Sequence, residues 1–212
     1  MQELGVEDIK SIIHQIKMII DNHRDTLTEL DSVMGDGDLG FTMTKAFSSA
    51  YEEAQKSEEK IPGKLLTRVG MVIAKTSPST MGTLVATGFM KAGRSIEQFE
   101  KIGPEELAVF FENFVRYIME RGKSAPGNKT IIDTLYPAAQ ALRSAANEQQ
   151  TILKGMQDAL NASVKGLEAS TQMKAQHGRA AYYQDNSIGK QDGGATVGMY
   201  IIEGFYNHLA RP

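Results

Sequence analysis

The sequence predicts an all-α domain of about eight amphipathic helices. Apolar residues recur at spacings of three and four in eight separate stretches of the 212-residue chain, the mark of a single buried helical face. No run combines β-branched enrichment with the strict alternation of a half-buried strand. Four polar, glycine-rich segments interrupt the stripes: LDSVMGDGDLG, TSPSTMG, GKSAPGNKT and HGRAAYYQDNSIGKQDGGA.

The first stripe is Ile9, Ile12, Ile13, Ile16, Ile19 and Ile20, which only a helix brings to one side. The second is Met43, Ala46, Phe47, Ala50, Tyr51 and Ala54, on a helix expected to begin near Phe41, and the third is Leu65, Leu66, Val69 and Val72 or Ile73. Between them, Tyr51 to Pro62 is rich in Glu and Lys and reads as a frayed helix end and solvated connection. The fourth carries Met81, Leu84, Val85, Gly88, Phe89 and Ala92. The fifth opens on Pro104, a residue suited to a first helical turn, and presents Leu107, Phe110, Phe111, Phe114, Val115 and Ile118. Ile131, Leu135, Ala138, Ala139 and Leu142 make the sixth, Leu153, Met156, Leu160, Val164 and Leu167 the seventh, and the eighth runs from about Ala195 to Leu209. No internal repeat or composition shift marks a boundary, so residues 1–212 are expected to form one domain.

Composition narrows the function. With 26 acidic against 23 basic side chains and no basic block, nucleic acid is not an expected partner. Zero cysteines exclude disulfides, thiolate metal sites and a cysteine nucleophile. The start MQELGVEDIK lacks the pattern of a signal peptide, and no stretch approaches the roughly 18 apolar residues of a membrane span. No membrane role and a cytoplasmic location are the expectations. The histidines His14, His23, His177 and His208 are scattered without ligand spacing and read as surface or packing residues.

The carboxylates are more informative. Asp31, Asp36 and Asp38 fall close together, and the latter two alternate with Gly35 and Gly37 in a segment too glycine-rich to be helical. Crowded carboxylates repel, and a hard divalent cation, with Mg²⁺ the natural candidate, offsets the repulsion. A calcium hand does not fit, because counting from Asp36 places Phe41 where its glycine belongs and Phe47 where its bidentate glutamate belongs. A lone Asp-Gly pair is more often a solvent-facing turn. Here the cluster stands directly ahead of an apolar helix, whose first amides, Gly40 to Thr42, are expected to point unpaired at the loop and favour an anion.

These residues, with PSTMG, GKSAPGNKTIIDTLYP and GRAAYYQDNSIGKQDGGAT following in order, resemble the DhaL family, the nucleotide-binding subunits of bacterial dihydroxyacetone kinases. The resemblance spans nearly the whole chain. It implies a barrel of eight antiparallel helices with ADP or ATP and two Mg²⁺ ions at one end, the metal held by Asp31, Asp36 and Asp38. By the same resemblance Leu39, Gly40, Phe41 and Thr42, then Thr80 and Met81, lie at the phosphates, Gly122 and Ile131 line the base pocket, and Arg179, Asp192, Gly193 and Gly194 close over ribose and base.

Three positions depart from the family pattern, which usually has histidine at Leu39, asparagine at Thr42 and serine at Met81. Thr42 keeps a hydroxyl donor, whereas Leu39 has none. Lys129 and Asp133 read as a surface pair on a helix starting near Thr130 and are assigned no chemistry. The resemblance further implies in-line phosphoryl transfer to a short ketose held by a separate DhaK-like subunit. A DhaM-like phosphotransferase-system protein is the expected donor. ATP-dependent phosphorylation of another ketose, such as a four-carbon sugar, and a nucleotide-loaded regulator bound to a transcription factor are the alternatives, and a homodimer stays open.

Overall fold

A computed structural model of the chain describes residues 3–211. Nine α-helices are present among these residues: α1 Val6–Asn22, α2 Arg24–Met34, α3 Leu39–Lys56, α4 Pro62–Thr76, α5 Thr80–Ser95, α6 Pro104–Gly122, α7 Ile132–Asn147, α8 Ile152–Ser170 and α9 Gly193–Leu209. A 3-10 segment, Arg179–Ser187, interrupts the long connection between α8 and α9. The all-α expectation holds, and the described residues contain no strand beyond an isolated antiparallel bridge between Leu4 and Ile102.

Local chemistry sets the helix starts. Ser79 Oγ accepts from the Gly82 amide at 3.0 Å, Thr151 Oγ from Lys154 at 3.2 Å and Asp192 Oδ2 from Ala195 at 2.7 Å, so α5, α8 and α9 each open on a side-chain cap. Proline stands in the first turn of α4 and α6, where no intrahelical donor is lost.

The apolar stripes determine how the helices associate. From α3 to α9 each helix packs on the next, α9 returns to α1, and α1 packs on α3, so eight helices close a ring, with α2 packed mainly on α3 and also touching α9 and α1. Short connections from α3 to α8 make these neighbours run in opposite directions. Inside lie Phe47, Phe89, Phe110, Phe111, Phe114 and Phe205, each at most 1% exposed. Phe89 meets Phe114 edge to face with ring centroids 5.0 Å apart, and Phe110 meets Phe111 likewise at 5.1 Å. Such pairs add about 0.5–1.5 kcal/mol to the burial of each ring. Gly88 makes room for this cluster, because a Cβ there would stand 2.8 Å from the Phe114 ring.

Three local expectations change. The segment containing Asp31 is not all loop: α2 carries it on its last turn, and its short apolar face, Leu27 and Met34, gave the pattern little to show. Helix α3 begins at Leu39 rather than near Phe41, because Asp31 captures the first amides. On α8 the buried face is Ile152, Met156, Ala159 and Ser163, whereas Leu153 and Val164 are exposed. That helix therefore sits rotated from the orientation its larger apolar residues predicted, with small residues turned toward α7 and α9.

Candidate functional site

A cleft of about 940 Å³ opens at one end of the ring. Its walls hold the first residues of α3, α5 and α9, namely Leu39, Thr80 and Gly193, and Ile131, which immediately precedes α7. Each helix start presents backbone N–H groups that no intrahelical carbonyl can reach and the positive end of a peptide dipole. Four such ends around one hollow make it favourable to anions.

Opposite charges stand at the rim. Asp31, Asp36 and Asp38 each offer a carboxylate oxygen within 4.8 Å of the others. Asp31 Oδ2 accepts from the amides of Asp38 at 3.0 Å and Leu39 at 3.3 Å, which folds the glycine-rich turn back over the end of α2. Gly37 turns the chain at φ 74°, a left-handed backbone that glycine adopts without strain. Burial, then the charges of Asp36 and Asp31, push the Asp38 carboxyl above its ordinary range. Arg179 Nη2 reaches Asp36 Oδ2 at 2.7 Å, so the cluster already draws a cation from the 3-10 segment. Three hard oxygen donors with one open flank fit Mg²⁺, and the residues expected to hold it are those gathered here.

The structure brings most of the other expected residues to the same hollow. Leu39, Thr80, Met81, Gly122, Ile131, Arg179, Asp192, Gly193 and Gly194 line it together with the three aspartates. Leu39 and Met81 pack against the start of α9: a Cβ on Gly193 would stand 2.7 Å from Leu39 Cδ2, and one on Gly194 2.8 Å from Met81 Cε. Asp192, partly buried beneath them, has its carboxyl pushed up to about 6, chiefly by burial.

Gly40, Phe41 and Thr42 are not among the lining residues. Gly40 is pressed onto Arg24 and Thr28 of α2, and Phe41 points outward at 59% exposure. Thr42 has its amide bonded to the Asp38 carbonyl at 2.8 Å. The expected run of unpaired amides therefore narrows to Gly40 and Phe41.

Sequence reasoning missed Lys129, Asp133 and His177. Lys129 is 2% exposed and lines the cleft, and Asp133 is buried with its carboxylate accepting from Gly127 at 2.6 Å and Thr130 at 2.7 Å. The surface-pair reading fails because both are buried, Lys129 against carbonyls far away in sequence and Asp133 against the amides of the turn just before it. His177 also lines the cleft, with Nε2 3.0 Å from Asn128 Oδ1. No spacing signal marks Lys129 and His177, since the contacts that bring them together run between the turn before α7 and the connection that follows α8.

An all-helical ring with a carboxylate trio and several helix starts around one cleft has the features of a site for a metal-bound anion. The chain belongs to the DAK2 domain family, which matches residues 33–207. It is 29% identical over 185 residues to the ADP-binding subunit DhaL of the PEP-dependent dihydroxyacetone kinase of Escherichia coli (strain K12), covering 87% of this chain and 88% of that protein. It is 26% identical over 172 residues to the D-erythrulose kinase of Mycolicibacterium smegmatis, 80% of this chain but 30% of that longer protein. The dihydroxyacetone kinase from C. freundii, solved in complex with AMP-PNP and Mg²⁺, matches with a TM-score of 0.74 at 20% identity over 97% of this chain and 34% of that one, which shows the shared fold. No helix among the described residues is long and apolar enough to cross a membrane.

Proposed function

We propose that this chain is the nucleotide-holding subunit of a ketose kinase, binding ADP or ATP through Mg²⁺ and passing a phosphoryl group to a short ketose on a separate DhaK-like subunit. The observation that carries the reading is the convergence of Asp31, Asp36 and Asp38 beside four helix starts on one cleft. Bound there, Mg²⁺ would neutralise charge on the phosphate oxygens as the phosphoryl group leaves. Gly193 and Gly194 bring backbone close to the ligand, Gly122 and Ile131 offer a flat wall for the base, and Arg179 stands ready to exchange Asp36 for a phosphate oxygen.

The proposed transfer needs no nucleophile from this chain, so the protein's contribution is position and electrostatics. The acceptor subunit would cover the cleft mouth, and the exposed Phe41 and Tyr182, each within three residues of the lining residues Leu39 and Arg179, are candidates for apolar contact with it. A phosphotransferase-system protein is the favoured donor, because the E. coli relative named as PEP-dependent is of comparable length. Similarity to a D-erythrulose kinase, together with Leu39 and Met81 at the phosphate wall, supports a four-carbon ketose as the second reading.

Titration of ADP with and without Mg²⁺ tests the assignment. Asp36→Asn is expected to abolish the Mg²⁺ dependence of nucleotide binding while leaving helix content intact, because it removes ligand charge at an exposed position and little packing. Equal affinity in the two proteins would refute the metal site.

A further inference from the structure

We infer that Lys129 is a positioning residue that straps the segment bearing Asp192, Gly193 and Gly194 to the nucleotide cleft. Its ammonium donates to the carbonyl oxygens of Ser170 at 2.7 Å, Thr171 at 3.2 Å and Lys190 at 2.5 Å. An ammonium has three N–H donors, and all three are taken by backbone carbonyls. The group is therefore neither a free acid nor a phosphate ligand, although it lines the cleft. Two of its acceptors terminate α8, where the helix dipole is negative, and the third lies two residues before Asp192.

The backbone at Lys129 reinforces this reading. Its φ is 57°, in the left-handed region where a glycine would be less strained. A lysine held there makes sense only through its side chain. Asp133 fixes the preceding turn by accepting from Gly127 and Thr130, which aims Lys129 across the floor of the cleft. One cation thus joins the turn before α7, the end of α8 and the approach to α9, beside the Gly189 amide that donates to the Thr171 carbonyl at 2.7 Å. The strap rests on the proposed nucleotide role of the cleft.

The test is calorimetric titration of Mg²⁺ and ADP into the unaltered chain, Lys129→Met and Lys129→Ala at a temperature well below unfolding. Both variants should bind ADP at least about tenfold more weakly, the loss of roughly one charge-assisted contact. Mn²⁺ affinity without nucleotide should stay within about twofold, because none of the contacts that Lys129 makes involves the three aspartates and only the strap is cut. Propylammonium, which replaces the atoms that Lys129→Ala removes, should restore affinity, and tetramethylammonium, with no N–H, should not. Equal ADP affinity in all three proteins, or equal rescue by both amines, would overturn the strap. Absence of ADP binding by the unaltered chain would instead remove the nucleotide reading. Should the variants fail to fold, reductive methylation of the unaltered chain decides: Lys129 should react far more slowly than Lys190 and slow further with Mg²⁺ and ADP. Equal reaction, indifferent to nucleotide, would overturn the proposal.

Discussion

Replacing Asp192 with asparagine should stabilise the protein at neutral pH and leave it unchanged in acid. Burial raises the Asp192 carboxyl from its ordinary 3.8 to about 6 in the folded chain. A carboxyl whose folded value is raised favours the folded state fully below pH 3.8, and that advantage is lost as pH climbs to 6. At about 1.4 kcal/mol per pH unit, the loss reaches roughly 3 kcal/mol at pH 7. Asparagine remains neutral and caps helices as well as aspartate, so its oxygen can still accept from Ala195 and α9 keeps its start. Urea unfolding of both proteins between pH 3.5 and 7.5 measures the effect. The difference should be close to zero at the acid end, grow between pH 4 and 6, and level at about 3 kcal/mol in favour of the variant. The remaining carboxyls, Glu59 among them with its carboxyl held below the usual range, are common to both proteins and cancel in the difference. Parallel curves across the whole window would show that Asp192 is not held in an environment hostile to its charge.

Leu39→His introduces a donor where the side chain now packs on Gly193, and should tighten Mg²⁺-dependent ADP binding by about tenfold, one hydrogen bond to a charged group; unchanged affinity by calorimetry would make that position irrelevant to the phosphates. Gly193→Ala should force the Leu39 tip into the cleft and weaken ADP binding by about tenfold, while stability shifts by no more than about 1 kcal/mol because only a flexible side-chain end must move; a wild-type Kd would mean Leu39 has room elsewhere. Phe89→Ala removes a fully buried ring that touches Phe47, Phe110 and Phe114, and should cost about 3–5 kcal/mol, lowering Tm by roughly 10 °C; a fall of only a degree or two would show that the interior refills the space.

Eight of the nine helices were legible because each buries a stripe long enough to repeat, as Ile9 to Ile20 does along α1. Helix α2 was not, since it buries only Leu27 and Met34, while Leu30 is half-buried, Val33 is exposed and the other positions are polar. On α8 the inward positions include Gly155, Ala159 and Ser163, so packing closeness outweighed side-chain size in choosing the face. The carboxylate trio could be read because its members are neighbours in sequence and their repulsion is a local fact. Arg179 could be placed near the site only by motif, and its contact with Asp36 spans much of the chain. Lys129 could not be read at all: its acceptors lie 41, 42 and 61 residues away, and a side chain satisfied entirely by distant carbonyls leaves no periodicity behind.

The seam between α1 and α9 bears on how such a domain can be carried by other proteins. His208 Nε2 lies 2.9 Å from Asp8 Oδ1, and Arg211 Nη2 donates to Gln15 Oε1 at 2.7 Å, so the polypeptide leaves the globule beside the place where it enters. A unit with adjacent entrance and exit can be spliced into a larger polypeptide, or recut at another surface loop, without stretching a tether across its body.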